Sequence, residues 1–123
     1  MFSLKLLAGW VLGLSALVCH AQQATRIVVP FAAGGGTDQY VRLLSAELNN
    51  RGMQVIVENK PGASGIIAAD YVARSRPDGT TILLSSLSIL ANNTVLFDKL
   101  PYDPVKDFAP VTQVAYQPAI LVG

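Results

Sequence analysis

Phe31-Ala32-Ala33-Gly34-Gly35-Gly36-Thr37-Asp38 and Asn59-Lys60-Pro61-Gly62-Ala63-Ser64-Gly65 decide how this chain folds. Each follows a short apolar run with the character of a strand, and each precedes a stretch with the character of a helix. In a parallel sheet two such turns lie on one edge, beyond the carboxyl ends of the strands, where open α/β sheets bind ligands. Helix starts there carry unpaired N–H donors and partial positive charge, so the crevice between them suits a small anion such as a carboxylate.

Working outward, Ile27-Val28-Val29-Pro30-Phe31 is apolar on both faces, as a central parallel strand is. Pro30 lacks a ladder donor and should end it. Thr37 or Asp38 can cap the helix that follows, in which Val41, Leu44 and Leu48 recur at helical spacing. Gly52 is a left-handed stop. Gln54-Val55-Ile56-Val57-Glu58 is the second strand, and Ser64 or Gly65 opens a second helix over Ile66 to Ser75. Pro77-Asp78-Gly79 turns into a third strand, Thr81-Ile82-Leu83-Leu84-Ser85. Right-handed crossovers make this a parallel sheet flanked by helices. Leu87 to Phe97 reads either as a short helix or as an ordered loop. Leu100-Pro101-Tyr102-Asp103-Pro104 reads as an extended, proline-stiffened turn. Val111 to Ala115 and Ala119 to Val122 read as two further strands.

Residues 1–21 read as a cleaved secretory signal. Lys5 supplies the positive start, Leu6 to Val18 the apolar run, and Cys19-His20-Ala21 the small residues at the cleavage site. Acylation at Cys19 is the minority alternative, because Val18 stands where a small residue is wanted. The remaining unit is 22–123. Cleavage would remove the single cysteine and the single histidine of the 123-residue chain. That excludes disulfides, Cys–His or Ser–His nucleophiles, and zinc sites that need those ligands. With Lys5 gone, the basic and acidic side chains balance, so no basic field exists for nucleic acid or a membrane surface.

Gly34-Gly35-Gly36 does not fit the dinucleotide fingerprint, since Gln39 occupies its sixth position. A P-loop would need a lysine followed by Ser or Thr, and Thr37-Asp38 stand there instead. Ala63-Ser64-Gly65 lacks the frame of a hydrolase elbow. Asp38 has two readings, as a cap satisfying a backbone donor or as a contact to ligand through an ammonium or a water. Ser85 and Ser86 close the third strand on the same edge, with helix or turn capping and ligand contact both open. An enzyme would have to draw on Asp38, Asp70, Lys60 and the serines, and no spacing among them suggests a general acid–base pair.

Four ordered blocks carry a family resemblance: Arg26 to Asp38, Val57 to Gly65, Pro77-Asp78-Gly79-Thr80, and Leu100 to Val111. With them the chain resembles the substrate-binding receptors of the tripartite tricarboxylate transporters, the Bug-type periplasmic receptors. The resemblance implies an α/β, type II periplasmic-binding-protein-like fold, two-lobed in the family. Here only the amino-terminal part of the first lobe is expected, the second lobe being absent. It further implies a periplasmic monomer without cofactor or catalytic activity. That receptor closes on a small carboxylate and delivers it to a permease of two membrane subunits. The implied ligand-binding residues are Ala33, Gly34, Gly35, Gly36, Thr37 and Asp38 on the first loop and Gly62, Ala63, Ser64 and Gly65 on the second. Ser85 and Ser86 supply the third. Citrate, aspartate and aromatic acids all remain open as ligands. The alternative is a truncated receptor that acts as a sensory or interaction protein without transport.

Overall fold

The computed structural model describes residues 23–116. The expected signal over residues 1–21 and the expected strand Ala119 to Val122 lie outside them.

β1 (Thr25–Val29) is the centre of a three-stranded parallel sheet. β2 (Val55–Asn59) flanks it on one side, with Ile27 opposite Val57, and β3 (Thr81–Leu83) on the other, with Val28 opposite Leu83. Central position explains why β1 is apolar on both faces: Ile27, Val28 and Val29 are all buried.

The strand order β2-β1-β3 sends the two crossovers in opposite directions. Right-handed connections then place their helices on opposite faces of the sheet. The packing shows this. α1 (Gly36–Asn50) lays Val41 and Leu48 on Ile27, Val29, Val55 and Val57. α2 (Ile66–Ala73) places Ile66, Ala69 and Ala73 on the other side, with Leu83, Ile89 and Tyr102. Small alanines at positions 68 and 69, both fully buried, let α2 sit close to the sheet.

The undecided stretch Leu87 to Phe97 is helical. A wide π turn over Ser88–Asn92 runs into α3 (Asn93–Leu96). Ile89 and Asn93 point inward while Leu87, Val95 and Leu96 are exposed. The turn at Leu100 to Pro104 is a built anchor. Tyr102 is buried, its hydroxyl donates to the Ile89 carbonyl at 2.7 Å, and its ring meets Phe108 edge-on at 5.8 Å. Asp103 closes the turn by accepting from the Val105 and Lys106 N–H groups.

The strand expected at Val111 to Ala115 does not form. That segment is exposed coil, and its tie to the fold is the Tyr40 hydroxyl, which donates to the Val114 carbonyl at 2.9 Å. A valine-containing stretch is compatible with a strand but cannot supply one. A strand needs a ladder neighbour, and among the described residues none lies beside this segment.

Candidate functional site

The three strands end on one edge, and three loops leave it: Pro30–Gly35 toward α1, Lys60–Gly62 toward α2, and Leu84–Leu87 toward the π turn. β1 and β3 are neighbours whose loops depart to opposite faces, so a crevice opens between them. It has a volume of about 350 Å³. Phe31 lines it from the first loop, Ser64 from the second, Ser86 from the third, and Ser88, Ile89, Asn92, Asn93 and Leu96 from the helical segment beyond.

The first loop is held by one carboxylate. Asp38 is 2% exposed although it is charged. Its Oδ2 accepts from the Gly34 N–H at 2.8 Å and from Arg42 Nε at 2.9 Å, and its Oδ1 accepts from Asn59 Nδ2 at 2.8 Å. The Arg42 guanidinium, the Gly34 N–H and the Asn59 amide hold this carboxyl far below its usual range. Arg42 is correspondingly raised by Asp38. The ion pair neutralises the loop, which removes the repulsion an anionic ligand would meet.

The expected caps on α1 are corrected. Gly35 is the N-cap, with no side-chain capping bond, and neither Thr37 nor Asp38 occupies that position. Asp38 sits in the first turn and reaches back to the N–H of Gly34, the residue before the N-cap. Gly34 has φ +86°, so this is the position in the triple glycine whose backbone requires glycine.

The second loop is more constrained. Ala63 and Ser64 both lie at positive φ, at 46° and 54°, in a 3-10 turn over Ala63–Gly65 that leads into α2. Such angles are rare for residues with a Cβ and persist where neighbours enforce them. Asn93 Nδ2 donates to the Ser64 carbonyl at 3.1 Å. A Cβ on Gly65 would stand 2.5 Å from Ile89 Cδ1, so the π turn packs directly on this loop.

Of the residues anticipated at the site, Ser64 and Ser86 meet across the crevice. Ala33, Gly34, Gly35, Gly36, Thr37, Gly62, Ala63 and Ser85 belong to the same sheet edge but do not line it. Asp38 and Gly65 are buried. Sequence reasoning missed Phe31, Ser88, Asn92 and Asn93 as wall residues. The available signal was two adjacent asparagines inside the apolar run Leu87 to Phe97. No grouping of acidic, histidine or cysteine side chains suited to a metal occurs among the described residues. None of their helices is long and apolar enough to cross a membrane.

A family model described as the tripartite tricarboxylate transporter family receptor matches residues 41–123. The chain belongs to that family. A UPF0065 protein of Bordetella bronchiseptica is 43% identical over 124 residues, covering 96% of this chain and 37% of its own length. MatC from Rhodopseudomonas palustris, solved with bound malate, superposes with a TM-score of 0.65 at 44% identity, over 72% of this chain and 30% of that one. A second R. palustris protein, solved with adipate, gives 0.62 at 39% identity, over 66% and 27%. The chain therefore spans about a third of the length of the relatives it matches. The periplasmic binding protein BugD superposes with a TM-score of 0.65 at 41% identity, over 71% of this chain and 29% of that one, so within that span the chain has the periplasmic-binding-protein fold, with the parallel sheet and flanking helices anticipated from the sequence.

Proposed function

We propose that this protein is a periplasmic receptor for small carboxylates, that the crevice holds one ligand carboxylate, and that the receptor passes its ligand to the two membrane subunits of a tripartite permease. The observation that carries this reading is the crevice wall. Ser64, Ser86, Ser88, Asn92 and Asn93 line it beside Phe31, Ile89 and Leu96, with no charged side chain among them. Neutral donors at helix-start loops suit a carboxylate that must bind and then leave, because they stabilise it without an ion pair. The charged residue of the first loop, Asp38, is buried and neutralised by Arg42.

Malate and adipate in two related structures support the substrate class. Ala33 to Asp38, Gly62 to Gly65, Ser85 and Ser86 are assigned to the binding edge, with Ser64 and Ser86 in direct contact and Asp38 shaping the first loop. In this reading residues 1–21 direct export to the periplasm, where the protein acts as a monomer and performs no catalysis.

The test is a thermal-shift panel on the protein purified from its native cell. Dicarboxylates should raise Tm while the matching diamides leave it unchanged. No shift with any acid in a broad panel contradicts the reading.

A further inference from the structure

We infer that Asn93 is a positioning residue for ligand binding: its side-chain amide clamps the Ser64 carbonyl and so holds the second loop in the shape that presents Ser64 to the crevice. The inference rests on the reading of the crevice as a carboxylate site.

Asn93 is 1% exposed and stands at the start of α3, 29 residues from Ser64. Its Nδ2 donates to the Ser64 carbonyl at 3.1 Å and contacts the Tyr102 hydroxyl at 3.4 Å. That hydroxyl spends its own proton on the Ile89 carbonyl. Both neighbours of Nδ2 are therefore acceptors, which fixes the amide's orientation and turns Oδ1 the other way. Oδ1 is the one buried side-chain polar atom without a hydrogen-bond partner among the described residues. A residue kept for packing alone would not carry that unpaired acceptor, since an apolar side chain of similar volume avoids the penalty. The donor is what the position needs. Its acceptor lies in the turn where Ala63 and Ser64 both hold positive φ, a conformation that must be imposed from outside.

The chain of contacts also gives a purpose to Leu100 to Pro104, which carries no ligand chemistry. Tyr102 braces Ile89 and Asn93 from below, and these two brace Gly65 and Ser64.

The experiment measures Kd for malate and adipate by calorimetry in the wild-type protein purified from its native cell, and in Asn93→Leu and Asn93→Asp, at pH 7.5 and 5.5. Asn93→Leu should weaken binding about tenfold at both pH values. Asn93→Asp should weaken it comparably at pH 7.5, where a carboxylate cannot donate to Ser64. It should recover to within about threefold of wild type at pH 5.5, because burial raises the introduced carboxyl's pKa and the protonated form donates. Tyr102 is the titratable side chain bonded at this position. Ratios to wild type at each pH cancel the ligands' own protonation. An Asn93→Asp ratio that does not move with pH overturns the inference. So does Asn93→Leu binding within twofold of wild type. Wild type binding no carboxylate overturns the crevice reading itself, and this inference with it. Should both variants fail to fold, exchange of the Asn93 side-chain amide protons in the unaltered protein decides. Slow exchange that ligand slows further supports the clamp, and exchange at the rate of an exposed asparagine overturns it.

Discussion

Asn59 Nδ2 donates to Asp38 Oδ1 at 2.8 Å, joining the last residue of β2 to the first turn of α1 across 21 positions of sequence. The same amide nitrogen donates to the Phe31 carbonyl at 3.2 Å, and Asn59 Oδ1 accepts from Arg42 at 3.1 Å. One side chain thus ties the first loop, the first helix and the root of the second loop together. Asn59→Ala should lower stability by about 1–2 kcal/mol, the net worth of its lost hydrogen bonds. Binding should weaken as well, because the two loops would no longer keep a fixed separation. Urea denaturation and calorimetry on the same preparation check both effects. Unchanged stability would show that the clasp contributes nothing.

The Asp38 carboxyl gives the fold a defined acid limit. Its folded pKa lies below the ordinary value of 3.8. Its contribution is therefore fully present above pH 3.8 and is lost as pH falls from there through the depressed folded value. Asp78 and Asp103 are also lowered, by Thr80 and by the Val105 N–H respectively, and act in the same window. Comparison with Asp38→Asn cancels them. The Tm gap between wild type and Asp38→Asn should be constant from about pH 7 to 5 and should narrow below about pH 4. A gap that holds constant down to about pH 2 would remove Asp38 from this role.

Two glycines of the binding edge should respond differently to alanine. Gly34 has φ +86° with open space where a Cβ would go, so Gly34→Ala meets backbone strain alone, about 1 kcal/mol. Gly65 has φ +84° and also faces Ile89 Cδ1 at 2.5 Å, so Gly65→Ala adds overpacking and should cost about 2–4 kcal/mol. Denaturation midpoints measure the difference, and equal costs would mean that the π turn yields freely.

Ser64 and Ser86 face the crevice from separate loops. Ser86→Ala should raise Kd for the bound acid about five- to tenfold, the value of one hydrogen bond to a charged acceptor, with Tm of the free protein unchanged. Ser85→Ala is the control. Ser85 does not line the crevice, and its hydroxyl makes a 3.5 Å contact with the Ser86 carbonyl. A larger effect at Ser85 than at Ser86 would move the site.

The sheet was legible because β1 must be buried on both faces, and Ile27-Val28-Val29 states that directly. The first two loops at its edge were legible because glycines punctuate those strand-to-helix passages. Val111 to Ala115 misled because strand formation depends on a neighbour, and a five-residue stretch with two valines does not reveal whether one is present. The capping side of Asp38 is local, since Gly34 stands four residues away, but its bond to Asn59, 21 residues on at the end of β2, forms only when the sheet is built. Asn93 stood out only as one of two adjacent asparagines in an apolar run, which does not reveal its role. Its function depends on a carbonyl 29 residues away in a strained turn. The block from Leu100 to Val111 showed a family but not a purpose, because Tyr102 acts by contacts beneath the site.

The most direct measurement is a crystal structure of the protein from its native cell, grown with the acid that gives the largest thermal shift. The account predicts a ligand carboxylate in the crevice between the ends of β1 and β3, within hydrogen-bond distance of the Ser64 and Ser86 hydroxyls. A ligand bound elsewhere on the chain, or a crevice filled by protein side chains, would contradict it.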